Sequence, residues 1–416
     1  MISLEDARRL VREATTLLPV IQVARDDALG LVLARDVIAT EAVPPFANTA
    51  MDGYAVRAAD TAGASTESPV SLHVVGELAA GAAPSIDVRD GCAIRIMTGA
   101  PMPDGADAIV MVERTERDDA NHAVLIRAAA SLGDHVRRAG GDVEPGETVF
   151  TAGTILGPSH LGVLASLDVA IVDVWRRARV GVLSTGDELV ASGPLAPGKI
   201  RDSNRPMLLA MLTEAGCEAI DCGTARDDEA TIFAAIELAV DTCDALLTSG
   251  AVSVGDFDFV KVAIERLAAA RGGVYQWSQV AIRPAKPLAF ARIDGADGVS
   301  IPIFGLPGNP VSSHVSFELF ARPVLRTMMG HTAAAERTVV RCIANAAIQR
   351  RADGKVHLDR VRVWTDGDGV VWCERTGEQA SNVLSGMANA NGLALLEDGP
   401  GVQAGDPVQV MLLAPL

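Results

Sequence analysis

The chain opens with apolar residues spaced three and four apart. That spacing places them on one face of a helix, and the stripe consists of Leu4, Ala7, Leu10, Val11, Ala14, Leu17 and Leu18. Ser3 occupies the N-cap position and Asp6 follows three residues later, a typical helix start. We therefore predict a helix that begins at residue 4 and is ended by Pro19.

From residue 43 to 142 the pattern changes to short apolar runs separated by Gly, Pro and Asp. The runs SLHVVGEL, CAIRIMTG and DAIVMVE are typical of short strands. The later stretch GPSHLGVLASL predicts a helix that returns to the packing of the first segment. We therefore predict a discontinuous first domain of mixed, partly helical structure (1–42 and 143–176) with a β-rich domain (43–142) inserted into it.

Residues 177–328 alternate between buried strands and amphipathic helices. The predicted strands are RVGVLST, CEAIDCG, DALLTSG and IPIFGLPG. The predicted helices are SNRPMLLAMLTEAG, capped by Ser203, then DDEATIFAAIELAVDT, FDFVKVAIERLAAARG and PVSSHVSFELFARPVLRTMMG. Alternation of this kind predicts a mainly parallel sheet with helices on both faces.

The last segment, 329–416, contains only short strand-like runs, which predict a small β-barrel. The fold class expected for the whole chain is therefore α/β multidomain. A central three-layer α/β domain with a mainly parallel sheet is accompanied by the inserted β-rich domain, the helical and mixed linker domain, and the C-terminal barrel.

Charge and composition narrow the range of possible functions. The chain has 416 residues, with 53 acidic against 36 basic ones and a net charge of −17. This balance argues against nucleic-acid partners and against anionic membrane surfaces. No apolar run is long enough to cross a bilayer, and MISLEDARRL has charges where a signal peptide is apolar, so we expect a cytoplasmic protein. The six cysteines are scattered and the seven histidines form no zinc-ligand spacing.

The candidate site follows from the ends of the predicted strands. Ligands bind beyond the carboxyl ends of the strands in an open parallel sheet. The segments TGDEL, TSGAVSVGD and GLPGNPVS lie there, and GKIRDSN precedes a helix. Glycine lets backbone N–H groups approach an oxyanion, and a helix N-terminus adds a positive dipole. Each segment alone is a common turn, but together they predict a site for a phosphorylated ligand.

Two cations stand out in the stretch QVAIRPAKPLAF. Arg283 and Lys286 are three residues apart, and Pro284 and Pro287 stiffen the segment. Prolines beside a cation reduce the entropy lost when the cation is fixed on a ligand. The segment is therefore a candidate anion site, and the alternative is a solvated surface turn.

Seven motifs together resemble one known family. PPFANTAMDGYAVR, RIMTGAPMPDGADAIVMVE, VGVLSTGDELV, GKIRDSN, TSGAVSVGDFDF, IRPAKPLAF and GLPGNPVS occur in the order and spacing of the molybdopterin molybdenumtransferases, a family that includes the C-terminal domain of gephyrin. The resemblance implies insertion of molybdate into adenylylated molybdopterin with release of AMP and with Mg²⁺, the last step of molybdenum cofactor synthesis. It also implies an elongated homodimer with four domains per chain, whose candidate partners are molybdoenzymes and other cofactor-synthesis proteins.

The resemblance also assigns catalytic residues. Asp52, Thr98, Glu188 and Lys286 match the family's site positions. The MDGYA loop that contains Asp52 is expected to face the cleft of the dimer partner, and Tyr54 to wall the pocket. The alternative is that Asp52 only caps a turn.

Ligand-binding and metal-binding residues are implied in the same way. The expected ligand-binding residues are Thr185, Gly186, Ser203, Asn204, Ser249, Gly250, Ser253, Arg283, Pro307, Gly308, Asn309, Ser312, Arg360 and Ser381, of which Arg360 and Ser381 match the family more loosely. The expected Mg²⁺ ligands are drawn from Asp187, Glu188, Asp256 and Asp258, because carboxylates suit a cation that bridges phosphates.

The sequence departs from the family pattern at several of these positions. Ala47 stands where an acid is usual, and Gln279 and Arg283 stand where lysine is frequent. Ala251 and Ala285 each replace a glycine. Arg283 keeps the charge, but alanine at position 251 would cost about 1 kcal/mol if that residue has a positive φ. We expect activity to survive with reduced affinity for the substrate.

Two other functions are compatible with these features. A molybdopterin adenylyltransferase is built on a domain like 177–328, but it would not need the two flanking regions. A non-catalytic dimeric scaffold, comparable to the receptor-anchoring role of gephyrin, would not need Asp52, Thr98, Glu188 and Lys286.

Overall fold

A computed structural model describes residues 1–13, 15–250, 259–295, 298–332 and 335–416. The chain divides into two compact units. The first unit comprises Met1–Val23, Gly30–Ala34 and Asp173–Leu416, and the second comprises Ala24–Leu29 and Arg35–Val172.

The described residues form eight α-helices. In chain order they are α1 (Leu4–Arg12), α2 (Pro158–Ser166), α3 (Asn204–Glu214), α4 (Glu229–Thr242), α5 (Phe259–Arg271), α6 (Pro310–Ser316), α7 (Arg322–Met328) and α8 (Leu384–Ala388). Short 3₁₀ turns span Arg25–Asp27, Ala58–Thr61, Val112–Arg114 and Asp119–Asn121. The helices expected after Ser3 and in the stretch GPSHLGVLASL are thus confirmed, as are those in 177–328.

Helix α1 begins as predicted and ends earlier than predicted. The Ser3 hydroxyl oxygen accepts a hydrogen bond from the Asp6 N–H at 3.0 Å, as an N-cap should. The helix ends at Arg12, well before Pro19. The β-branched Thr15 and Thr16 are poor helix formers, and the N–H of Leu18 donates to the carbonyl of Met328 instead of to a helical partner.

Twelve strands precede residue 176 in the described chain. They are β1 (Val20–Ala24), β2 (Val37–Ile38), β3 (Asn48–Thr49), β4 (Gly53–Val56), β5 (Val70–Leu78), β6 (Cys92–Ile96), β7 (Ala108–Met111), β8 (Thr115–Asp118), β9 (Ala123–Ile126), β10 (Val136–Arg137), β11 (Thr148–Phe150) and β12 (Ile171–Trp175). Six of them form a mixed sheet in the second unit, in the order β7-β4-β6-β5-β9-β8. The β-rich character predicted for this part of the sequence is confirmed.

Tyr54 corrects one expectation. The residue lies in β4, which pairs with both β6 and β7 in the sheet. Its side chain is only 2% exposed and packs in a cluster with Val56, Leu72 and Val110. The motif therefore enters a strand directly after Asp52, and the aromatic ring packs in the core while also bordering a small cavity of about 250 Å³ in the second unit.

The first unit is built around a six-stranded sheet. Its region of the chain contains β13 (Arg179–Thr185), β14 (Leu189–Val190), β15 (Ile200–Arg201), β16 (Glu218–Ala225), β17 (Ala245–Ser249), β18 (Gly273–Gln279), β19 (Ile282–Arg283), β20 (Pro287–Asp294) and β21 (Ser300–Leu306). The strand order is β16-β13-β17-β21-β20-β18. The first four strands are parallel, as predicted. The sequence pattern did not predict the other two strands: β20 pairs antiparallel with β21, and β18 pairs antiparallel with β20.

Helices cover both faces of this sheet, as the alternating pattern predicted. One buried cluster joins α3 and α6 to the sheet, with Leu208 and Val315 at its centre. A separate cluster joins α4 and α5, with Ile232 and Ile264 at its centre. These four side chains are at most 1% exposed. The sheet is therefore the middle layer of three and is held by aliphatic packing.

The last helix of this region is interrupted. A π-helical turn at Phe317–Ala321 separates α6 from α7, so the single helix predicted here is irregular at its centre. The turn carries Glu318, whose carboxylate is 1% exposed and accepts two hydrogen bonds from Arg337 at 2.9 Å. A buried carboxylate needs such partners, and this pair fixes the segment after α7.

The C-terminal part of the first unit is a closed barrel, which confirms the prediction. Its strands are β22 (Val339–Ala344), β23 (Ile348–Gln349), β24 (Val356–Thr365), β25 (Val371–Arg375), β26 (Gly392–Leu396), β27 (Gly401–Val402) and β28 (Pro407–Leu412). Five of them close in the order β24-β25-β22-β28-β26, and β26 returns to β24. Strand β19 pairs with β24, which joins the Arg283 segment to the barrel. Across the described residues, no helix is both long and apolar enough to cross a bilayer.

Candidate functional site

A cavity of about 990 Å³ lies at the carboxyl ends of β13, β17 and β21, within the first unit. This is a typical size for a small-molecule site. Of the residues predicted to bind ligand, the following line it: Thr185, Glu188, Ser203, Asn204, Ser249, Gly250, Arg283, Lys286, Pro307, Gly308, Asn309, Ser312 and Ser381. The loops that the sequence placed at one edge of the sheet do meet around one space.

Asn204 joins three of these loops at the start of α3. Its side-chain amide donates to Ser249 Oγ and to the carbonyl of Gly308, both at 2.8 Å. Its Oδ1 atom is buried without a partner among the described residues. A buried acceptor of this kind calls for a donor, which a ligand in the cavity could supply. Ser203 stands at the N-cap position, but its hydroxyl makes no capping hydrogen bond, contrary to our prediction.

Two glycines have no room for a side chain. A Cβ atom on Gly250, which has φ +125°, would lie 2.2 Å from the carbonyl oxygen of Thr185. A Cβ atom on Gly186 would lie 2.6 Å from the carboxylate of Glu188, which folds back over that glycine. The backbone of Gly250 thus lines the cavity directly, while the open face of Gly186 is occupied by Glu188.

Asp187 and Glu188 are adjacent in sequence and were both predicted to bind Mg²⁺, but their surroundings differ. The N–H of Asp187 donates to the Asp227 carboxylate at 3.0 Å, and the N–H of Asp227 donates to the Asp187 carboxylate at 3.3 Å. Glu188 lines the cavity and Asp187 does not. The N–H of Ile200 holds the Glu188 carbonyl at 2.8 Å, which fixes the backbone beside the cavity. Of the two carboxylates, Glu188 is the one placed to meet a ligand.

Arg283 and Lys286 form the cationic wall of the cavity. Both residues are exposed, and the peptide bond between Arg283 and Pro284 is cis. The N–H of Val280 donates to the carbonyl of Lys286 at 2.7 Å, which closes the loop at its base. Neither cationic head group donates a hydrogen bond within the described part of the chain, so both are available to an anion.

Ala285 has the backbone conformation that glycine would favour. Its φ is +71°, and the residue lines the cavity while being only 3% exposed. A left-handed conformation costs a residue with a Cβ atom roughly 1–2 kcal/mol. Ala251 and Ala285 both stand where the family usually has glycine. Ala251 lies outside the described residues, and Ala285 has a positive φ.

We expect Ala285→Val to lower the free energy of unfolding by about 2–3 kcal/mol, because a β-branched side chain is strongly disfavoured at positive φ and would be overpacked here. Ala289→Val is the matched control, since Ala289 is also buried, at 5% exposed against 3% for Ala285, but lies in strand β20. Thermal denaturation of the two variants checks this. An equal loss in both would show that crowding, not backbone conformation, limits residue 285.

Arg360 lies behind the cavity wall. Its side chain is 1% exposed, and its guanidinium donates to the carbonyls of Ala380 at 2.9 Å and Glu378 at 2.6 Å. Ala380 and Ser381 line the cavity, whereas Arg360 does not. In this structure Arg360 therefore positions the segment that contains Ser381, and contact with a ligand would require that segment to move.

The remaining metal and ligand predictions fall outside the described residues. These are Ser253, Asp256 and Asp258. Within the described residues, no group of three or more His, Cys, Asp or Glu side chains could hold a metal ion. The acids there that line the cavity are Glu188 and Asp202, and Asp202 is already paired with Arg205 at 3.1 Å.

The second unit contains the other two predicted catalytic residues, and they are in contact. Asp52 Oδ1 accepts hydrogen bonds from the N–H and from the hydroxyl of Thr98, both at 2.7 Å. The Thr98 N–H, followed by its hydroxyl, lowers the pKa of Asp52 below its ordinary value. Asp52 is therefore an ionised carboxylate at neutral pH with one oxygen already engaged.

Sequence reasoning missed several residues of the cavity wall. They are Leu189, Ile200, Arg201, Asp202, Ile282, Pro284, Ala285, Pro287, Pro310, Lys355, Gln379, Ala380 and Asn382. Most adjoin a predicted residue, so widening each motif by one or two positions would have found them. Lys355 has no such neighbour, because it reaches the cavity through the pairing of β19 with β24.

Family models match almost the whole chain. The MoeA N-terminal region (domain I and II) matches residues 2–167, the probable molybdopterin binding domain matches 181–327, and the MoeA C-terminal region (domain IV) matches 344–413. A Mycobacterium tuberculosis protein named molybdopterin molybdenumtransferase 2 is 41% identical over 414 residues, which cover 99% of each chain. A Bacillus subtilis molybdopterin molybdenumtransferase is 35% identical over 94% of this chain and 89% of its own.

A solved structure agrees with these matches. The molybdopterin biosynthesis moeA protein from Pyrococcus horikoshii OT3 superposes with a TM-score of 0.82 at 27% identity, covering 99% of this chain and 100% of that one. The matches span the second unit, the central sheet and the barrel. The chain belongs to the MoeA family of molybdopterin molybdenumtransferases.

Proposed function

We propose that this protein inserts molybdate into adenylylated molybdopterin and releases AMP. The observation that carries the proposal is the cavity, where hydrogen-bonding loops face the cationic pair Arg283 and Lys286. A dianionic oxyanion needs cations, and a pyrophosphate-linked nucleotide needs hydrogen-bond donors. The cavity wall has both kinds of group. Full-length relatives that carry the name of this activity support the same reading.

The loops after β17 and β21 would hold the nucleotide side of the substrate. The hydroxyl of Ser249 offers a donor close to the cavity, and Asn204 fixes both loops in place. A phosphate bound there displaces water at little cost, because the groups are already positioned. Arg283 and Lys286 would hold molybdate beside the dithiolene sulfurs of molybdopterin.

Magnesium fits this arrangement. Mg²⁺ is commonly held by one or two carboxylates together with substrate phosphates and water, and Glu188 is a cavity carboxylate with no cation paired to it in the described residues. When bound, the ion would neutralise charge on the phosphates as AMP leaves. Glu188 would hold it, with Asp256 and Asp258 as further proposed ligands.

The Asp52–Thr98 pair would complete the site of a second copy. We propose a homodimer in the cytoplasm, in which the second unit of one protomer supplies Asp52 to the cavity of the other. The engaged Oδ1 fixes the carboxylate, and the second oxygen is left to orient a water or a donor of the substrate.

The test supplies the purified protein with adenylylated molybdopterin, Mg²⁺ and molybdate and measures AMP release. We expect release to depend on molybdate and expect no adenylylation of molybdopterin by ATP. AMP formation from ATP and molybdopterin would instead support an adenylyltransferase. Absence of both reactions, in protein whose folding is verified by circular dichroism, would leave the scaffold role.

A further inference from the structure

The cavity wall contains a cation that neither the motifs nor the comparisons assign. Lys355 lines the cavity immediately before strand β24. The N–H of the next residue, Val356, donates to the carbonyl of Ala281 at 2.9 Å. This places Lys355 beside the loop that carries Arg283 and Lys286, although it is some seventy residues away in sequence.

Lysine is rare in this protein, which makes the placement informative. The chain has four lysines, at positions 199, 261, 286 and 355. Two of the four, Lys286 and Lys355, line the same cavity of a chain whose net charge is −17.

Asp353 holds Lys355 in place without consuming its donors. The ammonium donates to Asp353 Oδ2 at 3.0 Å, and the side chain of Lys355 is 24% exposed. An ammonium has three N–H donors. Among the described side chains, Asp353 accepts a hydrogen bond from one of these donors. The hydrogen bond from Lys355, followed by that from His357, lowers the pKa of Asp353 to about 2, so this tether persists at neutral pH.

The tether is itself anchored in the barrel. Asp353 also accepts a hydrogen bond from Arg350 at 3.1 Å, and Arg350 bonds to Asp398 at 2.9 Å. The Arg350 side chain is 1% exposed, so the charge it brings is fixed in position. The ammonium of Lys355 is therefore pre-positioned at the cavity wall, which reduces the entropy lost when an anion binds.

We propose that Lys355 is a specificity-determining residue that contacts the molybdate oxyanion together with Arg283 and Lys286. The inference rests on the proposed function of the cavity and adds a third cation to it. A tetrahedral dianion offers four oxygens, and three cations on one cavity wall favour a dianion over a monoanion by charge. The same chemistry could serve a phosphate of the nucleotide, so the test must separate the two anions.

The experiment measures binding of molybdate alone and of AMP alone to the full-length protein by titration calorimetry. Lys355→Met should weaken molybdate binding about three- to tenfold, because the contact is charge-assisted but shared with Asp353. Lys355→Arg should retain affinity within about threefold, since it keeps the charge. Lys261→Met is the matched control, because Lys261 lies on α5, pairs with Glu265 at 3.9 Å and does not line the cavity; this variant should bind molybdate like wild type.

A further variant separates a ligand contact from a structural role. Asp353→Asn weakens the same tether but keeps the ammonium at the cavity wall, so it should weaken molybdate binding less than Lys355→Met does. Equal weakening in Asp353→Asn and Lys355→Met would overturn the proposal, and so would wild-type affinity in Lys355→Met. A loss of AMP binding without a loss of molybdate binding would also overturn it.

Failure of this inference can be told apart from failure of the proposed function. If Lys286→Met weakens molybdate binding while Lys355→Met does not, this inference fails and the proposed function stands. If wild type binds no molybdate, the proposed function itself fails.

Discussion

A mixture of Asp52→Asn and Glu188→Gln chains should recover about half of the wild-type molybdenum insertion per heterodimer, although each variant alone is nearly inactive. The two acids lie in different units of the chain. If Asp52 completes the cavity of a second copy, a heterodimer has one site with both defects and one site with neither. Each substitution keeps the size of the side chain and removes only its charge.

Each variant alone should lose at least about a hundredfold in rate, because a preorganised charge at the reacting centre is worth that much in many enzymes. They should differ in what they keep. Glu188→Gln should lose the Mg²⁺ dependence of AMP release. Asp52→Asn should keep AMP binding, since its hydrogen bonds to Thr98 lie outside the first unit.

A second mixture provides the control. Asp52 and Thr98 are in contact within the second unit, so a heterodimer of Asp52→Asn and Thr98→Val chains has one defect in each site and should not recover. Subunit exchange is verified by differently tagged chains. If the Asp52 and Glu188 mixture also fails to recover, both acids serve the site of one chain, or one of them is structural.

The sequence predicted those parts of the fold that local patterns determine. Strand β13 is a continuous buried run after Arg179, and helix α4 is capped by Asp228, whose carboxylate accepts the N–H of Thr231 at 2.9 Å. Such signals are contained within a few consecutive residues. The edge strand β18 has no comparable signal, because GVYQWSQ mixes polar and apolar residues. Its place depends on pairing with β20 and on packing of Tyr275, which are contacts between distant parts of the sequence.

The candidate site also has parts that local sequence patterns predict and parts that they do not. Motifs found Ser249, Gly250 and Lys286, since each lies in a sequence segment whose composition already indicates an anion site. For other residues the motifs did not determine the role, and burial in the structure did. Tyr54 and Arg360 match family positions, yet one packs in a core and the other supports a loop. Lys355 reaches the cavity by a pairing between distant strands, which no local pattern contains.

The second large effect concerns Lys286. We expect Lys286→Met to raise the molybdate concentration needed for half-maximal insertion about ten- to a hundredfold, because a charge-assisted hydrogen bond is worth about 1.5–3 kcal/mol. The head group is exposed on the cavity wall and makes no hydrogen bond within the described part of the chain, so its removal exposes no unpaired partner. Stability should therefore change little, and the loss should appear in molybdate dependence and not in thermal denaturation.

The form of the loss distinguishes a binding contact from a general field effect. Screening by salt weakens interactions between charges farther apart than about 10 Å at 0.1 M ionic strength. If Lys286 contacts molybdate, the defect should persist at 0.3 M salt, and rescue should follow from added molybdate but not from added AMP. Lys261→Met removes the same charge from α5 and should behave like wild type at both ionic strengths. Saturation of Lys286→Met at the wild-type molybdate concentration would mean that Lys286 is a surface residue and that the cationic wall of this cavity has another ligand.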